Sequence, residues 1–164
     1  RRPVLEWGLR HLERTAPPPV PPVLVHNDFR TGNIMLDEAG ITAVLDWELS
    51  TLGDPLADFS YMLMQWVSQG NARTAGLVDS DLDALNIPQM QEAVDIYCRL
   101  TKRDGVPDLN WLFAYNLFRL SSIVQGIAKR IVDGTAASAK AEESASRVVP
   151  LAKSAWEFAQ KAGA

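Results

Sequence analysis

The segment His26-Asn27-Asp28-Phe29-Arg30-Thr31-Gly32-Asn33 gathers an imidazole, a carboxylate, a guanidinium and a carboxamide into one short stretch, and Leu45-Asp46-Trp47-Glu48 follows with two more carboxylates. Carboxylate and amide oxygens are hard donors of the kind Mg2+ prefers, and Mg2+ typically takes one or two protein ligands beside phosphate oxygens. Transfer of a phosphoryl group to a hydroxyl needs a carboxylate that orients the attacking group and accepts its proton. It also needs a fixed cation that offsets the charge on the moving phosphoryl. Asp28 and Arg30 have the chemistry for these two roles, and Asn33 and Asp46 have the chemistry for the metal. The set suits a metal-bound nucleotide.

Such side chains act together only if regular elements hold the backbone around them. Residues 23–26, 33–37 and 41–46 are short apolar or β-branched runs that read as strands. Asp37-Glu38-Ala39-Gly40 is a turn sequence, so the second and third strands are expected as an antiparallel hairpin. Asp28, Asn33 and Asp46 therefore fall on turns at strand ends, where side chains from separate loops can converge. Upstream, Leu5, Leu9 and Leu12 recur at helical spacing over 4–14, and Pro17, Pro18, Pro19, Pro21 and Pro22 must end that helix in a stiff extended connector. Downstream, Asp54 as N-cap and Pro55 as first residue begin a helix with Leu56, Phe59, Leu63 and Trp66 on one face. Residues 70–87 are polar and broken. A helix is expected over 88–103 with Met90, Val94, Tyr97 and Leu100 on one stripe. A long one carries Phe113, Leu117, Leu120, Val124, Ile127 and Ile131 and ends before Gly134, and Val148, Leu151, Ala155 and Phe158 mark the last. The expected fold is α+β, mainly helical with a small β-hairpin element, in a single domain over residues 1–164.

The order His-x-Asp-x-x-x-x-Asn followed by a later metal-binding Asp is the signature of the protein-kinase-like superfamily, and the chain matches it at His26, Asp28, Asn33 and Asp46. The variant Asp-Phe-Arg-x-Gly-Asn, then Leu-Asp-Trp-Glu, then Gly-Asp-Pro-x-x-Asp resembles the aminoglycoside phosphotransferase and choline kinase branch. Within that branch it is most similar to the phosphotransferase-like domains associated with acyl-CoA dehydrogenases. The resemblance implies a kinase-like C-terminal lobe that moves the γ-phosphoryl group of ATP, with Mg2+, to a hydroxyl of a small molecule. It implies Asp28 as catalytic base, Asn33 and Asp46 as metal and nucleotide ligands, and Glu48 as a further acid of the metal shell. It also implies His26 as a brace of the catalytic loop and Asp58 as an acceptor of hydrogen bonds from that loop. Arg30 stands where protein kinases carry a phosphate-facing Lys. The link to acyl-CoA dehydrogenases points toward a hydroxylated acid or thioester as acceptor.

An N-terminal lobe of this superfamily would cover the phosphates with a Gly-rich loop and a strand Lys. No two of the ten glycines are separated by a single residue, and the first lysine is Lys102. The chain, which begins at Arg1, is therefore read as a C-terminal lobe parted from its nucleotide-covering partner. Two other readings stand beside the enzyme. One is a degenerate kinase-like module that binds a partner through the helical face around Met64, Trp66 and Trp111. The other is a lobe that forms a homodimer through surface the missing lobe would cover.

Composition excludes several classes. With 47% hydrophobic and 22% charged residues in 164, the chain is an ordinary globule, and a formal charge of −4 provides no cationic field for nucleic acid or an anionic membrane. No apolar run approaches the roughly 20 residues of a membrane span. The lone Cys98 cannot form an internal disulfide, and cytoplasmic is the expected location. Asp79-x-Asp81-x-Asp83 imitates a calcium loop but has Ala84 and Met90 where the turn Gly and bidentate Glu belong, so it is expected as a solvated loop. His11 has no partner ligand nearby and is expected to pack or to face solvent. Trp66, Trp111, Tyr115 and Phe118 are expected in the core.

Overall fold

The structure, a computed structural model, describes residues 3–68, 76–135 and 141–163. In chain order its elements are α1 (Pro3–Thr15), β1 (Val23–Val25), β2 (Ile34–Asp37), β3 (Gly40–Val44), β4 (Thr51–Gly53), α2 (Pro55–Val67), α3 (Met90–Thr101), α4 (Leu109–Val132), α5 (Ala141–Ser146) and α6 (Val148–Lys161), with 3-10 turns at Thr31–Asn33 and Trp47–Leu49. They form two compact units, Pro19–Pro107 and, from the two chain ends, Arg1–Pro18 with Asp108–Ala164.

In the unit 19–107, β2 and β3 make the expected hairpin, with Ile34 opposite Val44 and Asp37 opposite Gly40. The turn is set locally. Asp37 Oδ1 accepts the Ala39 N–H at 2.7 Å, and Gly40 takes φ +123°, where an L side chain would be strained. A bulge between Met35 and Leu36 interrupts the ladder. β1 pairs antiparallel with β4, Val25 opposite Thr51. β4 is not among the expected strands, because three residues between a 3-10 turn and a helix cap carry no periodicity to read. Its pairing has a consequence: the loop leaving β1 and the loop entering β4 start side by side.

Asp54 caps α2 as expected, accepting the Leu56 N–H at 2.9 Å, with Pro55 at the first position. Leu56, Phe59, Leu63 and Met64 are buried, and Phe59 stacks on Tyr97 of α3 with centroids 3.8 Å apart. Trp66 Nε1 donates to the Pro88 carbonyl at 2.9 Å. Of the face around Met64 and Trp66, Met64 is buried and Trp66 is half-buried. On α3 the expected stripe stops short: Val94 is buried, but Leu100 is 74% exposed, in the last turn beyond the Tyr97 stack. Residues 70–75 of the polar stretch lie outside the described residues. In the rest, Asp81 Oδ1 accepts the Ala84 N–H and Asp83 Oδ1 accepts from Gln89 Nε2, so these acids serve turns. Among the described residues no three His, Cys, Asp or Glu side chains converge on a metal position.

The other unit is helical. α4 starts at the Asp108 cap and packs along α6 over a core of Leu12, Ala114 and Ala159, ringed by Trp111, Tyr115, Phe118, Trp156 and Phe158. Trp111 Nε1 donates to Thr15 Oγ1 at 2.9 Å and ties α4 to the end of α1. In α1, His11 and Leu12 are buried while Leu9 is 58% exposed, so the inward stripe runs through the histidine rather than through Leu9. The Leu5 side chain lies outside the described residues. The last segment is two helices, because Pro150 has no N–H to donate to the Ser146 carbonyl four residues earlier, where α5 ends, and its ring clashes with that carbonyl. No helix among the described residues is long and apolar enough to cross a membrane.

Candidate active site

The loop after β1 is held by its backbone first. Asn27 N–H donates to Asp58 Oδ1 at 2.7 Å and His26 N–H donates to Asp58 Oδ2, from a carboxylate on the first turn of α2. Asn27 takes φ 66°, a left-handed conformation that Asn tolerates better than most residues, and its Nδ2 donates to the Leu49 carbonyl at 3.0 Å. His26 is buried, 3% exposed. Its Nδ1 accepts the Asp28 N–H at 3.2 Å, which leaves the ring proton on Nε2, 2.7 Å from the Leu45 carbonyl. One imidazole thus joins the backbone of Asp28 to the residue before Asp46. Trp47 lies against it with ring centroids 4.7 Å apart, and Phe29 meets it edge-on at 6.2 Å.

The Asp28 carboxylate collects three donors. Tyr61 Oη donates to Oδ1 at 3.0 Å, and Asn33 Nδ2 and Arg30 Nε donate to Oδ2 at 2.9 and 3.0 Å. Burial pushes this carboxyl up, but the hydrogen bonds from Arg30, Asn33 and Tyr61, with the charge of Arg30, outweigh it and hold the group below its ordinary value. Arg30 folds back over Gly32, where a Cβ would come within 2.4 Å of Nη1, so a side chain there would displace the guanidinium tip.

Asn33 is 4% exposed, and its Nδ2 also donates to the Asp28 carbonyl at 2.9 Å, which leaves Oδ1 without a hydrogen bond among the described residues. The Leu45 N–H donates to the Asn33 carbonyl at 2.8 Å, one step beyond the Ile34–Val44 pair, so the hairpin register brings Asp46 out beside Asn33. Asp46 takes φ 66°, and its exposed carboxylate caps nothing. Glu48 stands exposed on the following 3-10 turn, and no hydrogen bond joins it to the cluster.

Asp28, Arg30 and Asn33 are therefore one hydrogen-bonded group, with His26 and Asp58 on the backbone of the same loop and Asp46 set next to it by the ladder. Two participants are not among the sequence-derived residues. Tyr61 carried a usable signal: it lies three residues after Asp58, so helical spacing puts both on one face of α2. Asn27 carried less, since only the fold shows that its backbone is left-handed.

Residues 1–93 match the model of the phosphotransferase enzyme family. Acyl-CoA dehydrogenase family member 10 of Mus musculus is 39% identical over 166 residues, spanning 98% of this chain and 15% of that protein. Acyl-CoA dehydrogenase family member 11 of Gallus gallus is 36% identical over 143 residues, spanning 84% and 18%. A Ralstonia eutropha structure assigned to the aminoglycoside phosphotransferases superposes with a TM-score of 0.87 at 37% identity, covering 97% of this chain and 49% of its own. The aminoglycoside phosphotransferase APH(4)-Ia, solved with AMP-PNP and hygromycin B, superposes with a TM-score of 0.53 at 19% identity, a likeness of fold alone. The chain thus spans about half of its Ralstonia neighbour and under a fifth of these curated relatives. The kinase-like α+β fold expected from the motifs is the fold of both solved neighbours. With the family model matching more than half of its length and its acid, amide and arginine gathered on one loop, the chain belongs to the phosphotransferase enzyme family.

Proposed function

We propose that this chain is the catalytic C-terminal lobe of an ATP-dependent phosphotransferase that acts on a hydroxyl of a small molecule. The observation that carries the reading is the Asp28 carboxylate, held by Tyr61, Arg30 and Asn33, with the Asn33 carbonyl bonded to the N–H of Leu45, the residue before Asp46. Its depressed pKa keeps Asp28 ionised at neutral pH, as an acceptor of the attacking hydroxyl's proton must be. Arg30 engages Asp28 through Nε, which leaves its Nη groups to meet a phosphoryl oxygen.

The donors present fit Mg2+. One free amide oxygen at Asn33 and one exposed carboxylate at Asp46 are too few for a closed protein cage but suit a cation that brings phosphate oxygens and water with it. Asn33 and Asp46 would hold the ion, with Glu48 close behind in sequence, and the bound ion would neutralise charge on the nucleotide phosphates. ATP as donor is supported by the fold neighbour that holds AMP-PNP. The names of the curated relatives direct the search for the acceptor toward hydroxylated acids and acyl thioesters.

The test is Asp28→Asn in the full-length protein. Turnover should fall on the order of 10²- to 10⁴-fold while MgATP still binds in a calorimetric titration, and a variant with full activity removes the role. Asp46→Ala should abolish the Mg2+ dependence of nucleotide affinity. Unchanged affinity would mean that Asp46 is not the ligand.

A further inference from the structure

We infer that Tyr61 is a positioning residue for the phosphotransfer proposed above: its hydroxyl, bonded to Asp28 Oδ1 at 3.0 Å, aims that oxygen at the incoming acceptor. The inference rests on that reading and asks which atom of the base does the work and what holds it there.

A carboxylate oxygen accepts in two lone-pair directions. At Oδ2 both are taken, by Arg30 Nε and Asn33 Nδ2. At Oδ1 one is taken by Tyr61, and the other is the position left for an acceptor O–H. The three donors are not equivalent. Arg30 and Asn33 belong to the same loop as Asp28 and move with it. Tyr61 belongs to α2, whose other face is anchored in the core by Leu56, Phe59, Leu63 and Met64.

The same helix face carries Asp58 three residues earlier, which holds the N–H groups of His26 and Asn27. Together the two side chains form a bracket, Asp58 on the backbone of the loop and Tyr61 on the carboxylate it delivers. The bracket matters because rotation of an Asp carboxylate about its last torsion is broad and two-fold, so backbone anchoring alone does not decide which oxygen faces the acceptor. Tyr61 is half-buried and has a rigid ring, which makes it a stiffer support than the half-exposed arm of Arg30.

Tyr61→Phe removes the oxygen and keeps the ring. Measured in the full-length protein as phosphate release from MgATP with water as acceptor, kcat should fall on the order of 10- to 100-fold, the scale of a small misplacement at a reacting centre. KM for MgATP and the thermal midpoint should stay at wild-type values, because neither nucleotide binding nor the core is touched. In an Asp28→Asn background the same change should cause no further loss, since Tyr61 acts through Asp28. Wild-type kcat in Tyr61→Phe, or a loss confined to KM, overturns the inference while leaving the phosphotransferase reading in place. Wild-type kcat in Asp28→Asn overturns both. A readout without turnover separates them further: the 13Cγ chemical shift of Asp28, which reports hydrogen bonding at its carboxylate, should move in Tyr61→Phe, and an unchanged shift counts against the bracket.

Discussion

His26 and His11 are both buried, and the structure uses them differently. His26 is spent on two backbone groups, the Asp28 N–H and the Leu45 carbonyl. His26→Phe keeps a ring of similar shape and strands both, so denaturant titration should show a loss of about 1–3 kcal/mol for each group left unsatisfied. His11 sits in the helical unit, where burial first and the charge of Arg14 second lower its pKa from the ordinary 6.5. A histidine whose folded-state pKa is depressed favours the neutral form on folding. Its contribution to stability is complete above pH 6.5 and is lost as pH falls through the folded value. Thermal midpoints should therefore decline below that pH, and His11→Gln should flatten the decline. Asp28 adds a second step in the same direction: its depressed carboxyl stabilises the fold above its ordinary 3.8 and stops doing so as pH falls further. Of the partners of His26, the Asp28 N–H lies two residues away and only the Leu45 carbonyl is supplied from a distant segment.

At the scale of elements, α2 organises the site. Its cap, its first-turn proline and its buried stripe are local and were legible, as was the β2–β3 hairpin with its turn residues. The polar face that reaches the loop was half legible: Asp58 stood out by motif and Tyr61 did not. Two substitutions separate cap from anchor. Asp54→Ala removes only a cap and should cost about 1 kcal/mol of stability. Asp58→Ala strands the N–H groups of His26 and Asn27, and because bonds to a charged acceptor are lost the cost should reach about 1.5–3 kcal/mol each. Hydrogen–deuterium exchange should then quicken at those two amides and at Asp28, whereas Asp54→Ala should quicken exchange at Leu56.

For the molecule as a whole, the two compact units divide the work. The motif residues lie in Pro19–Pro107, and the helical unit is assembled from both chain ends. Its closure is non-local, with Trp111 and Thr15 bonded across 96 positions of sequence. Phe113 is 2% exposed there and meets Phe158 edge-on at 5.2 Å. Phe113→Ala should cost about 3–5 kcal/mol, read as lost amide protection along α4 and α6. Protection at the Asp28 loop reports on the other unit and serves as the internal comparison.

The residues of the site, their order and the elements that carry them are determined by the sequence itself, because caps, turns, helical faces and a compound motif act over a few positions. Only the tertiary structure decided the rest. The β1–β4 pair joins a strand legible from its β-branched run to a three-residue strand that has no pattern of its own, and it sets the loop of Asp28 beside the loop of Asp46. The Tyr61–Asp28 bond spans 33 positions, and the left-handed Asn27 is bonded through its Nδ2 to the Leu49 carbonyl, 22 positions away. The physical reason is the same in each case: a non-local contact forms when distant groups are brought within hydrogen-bond reach, and neither partner's own neighbours encode that distance.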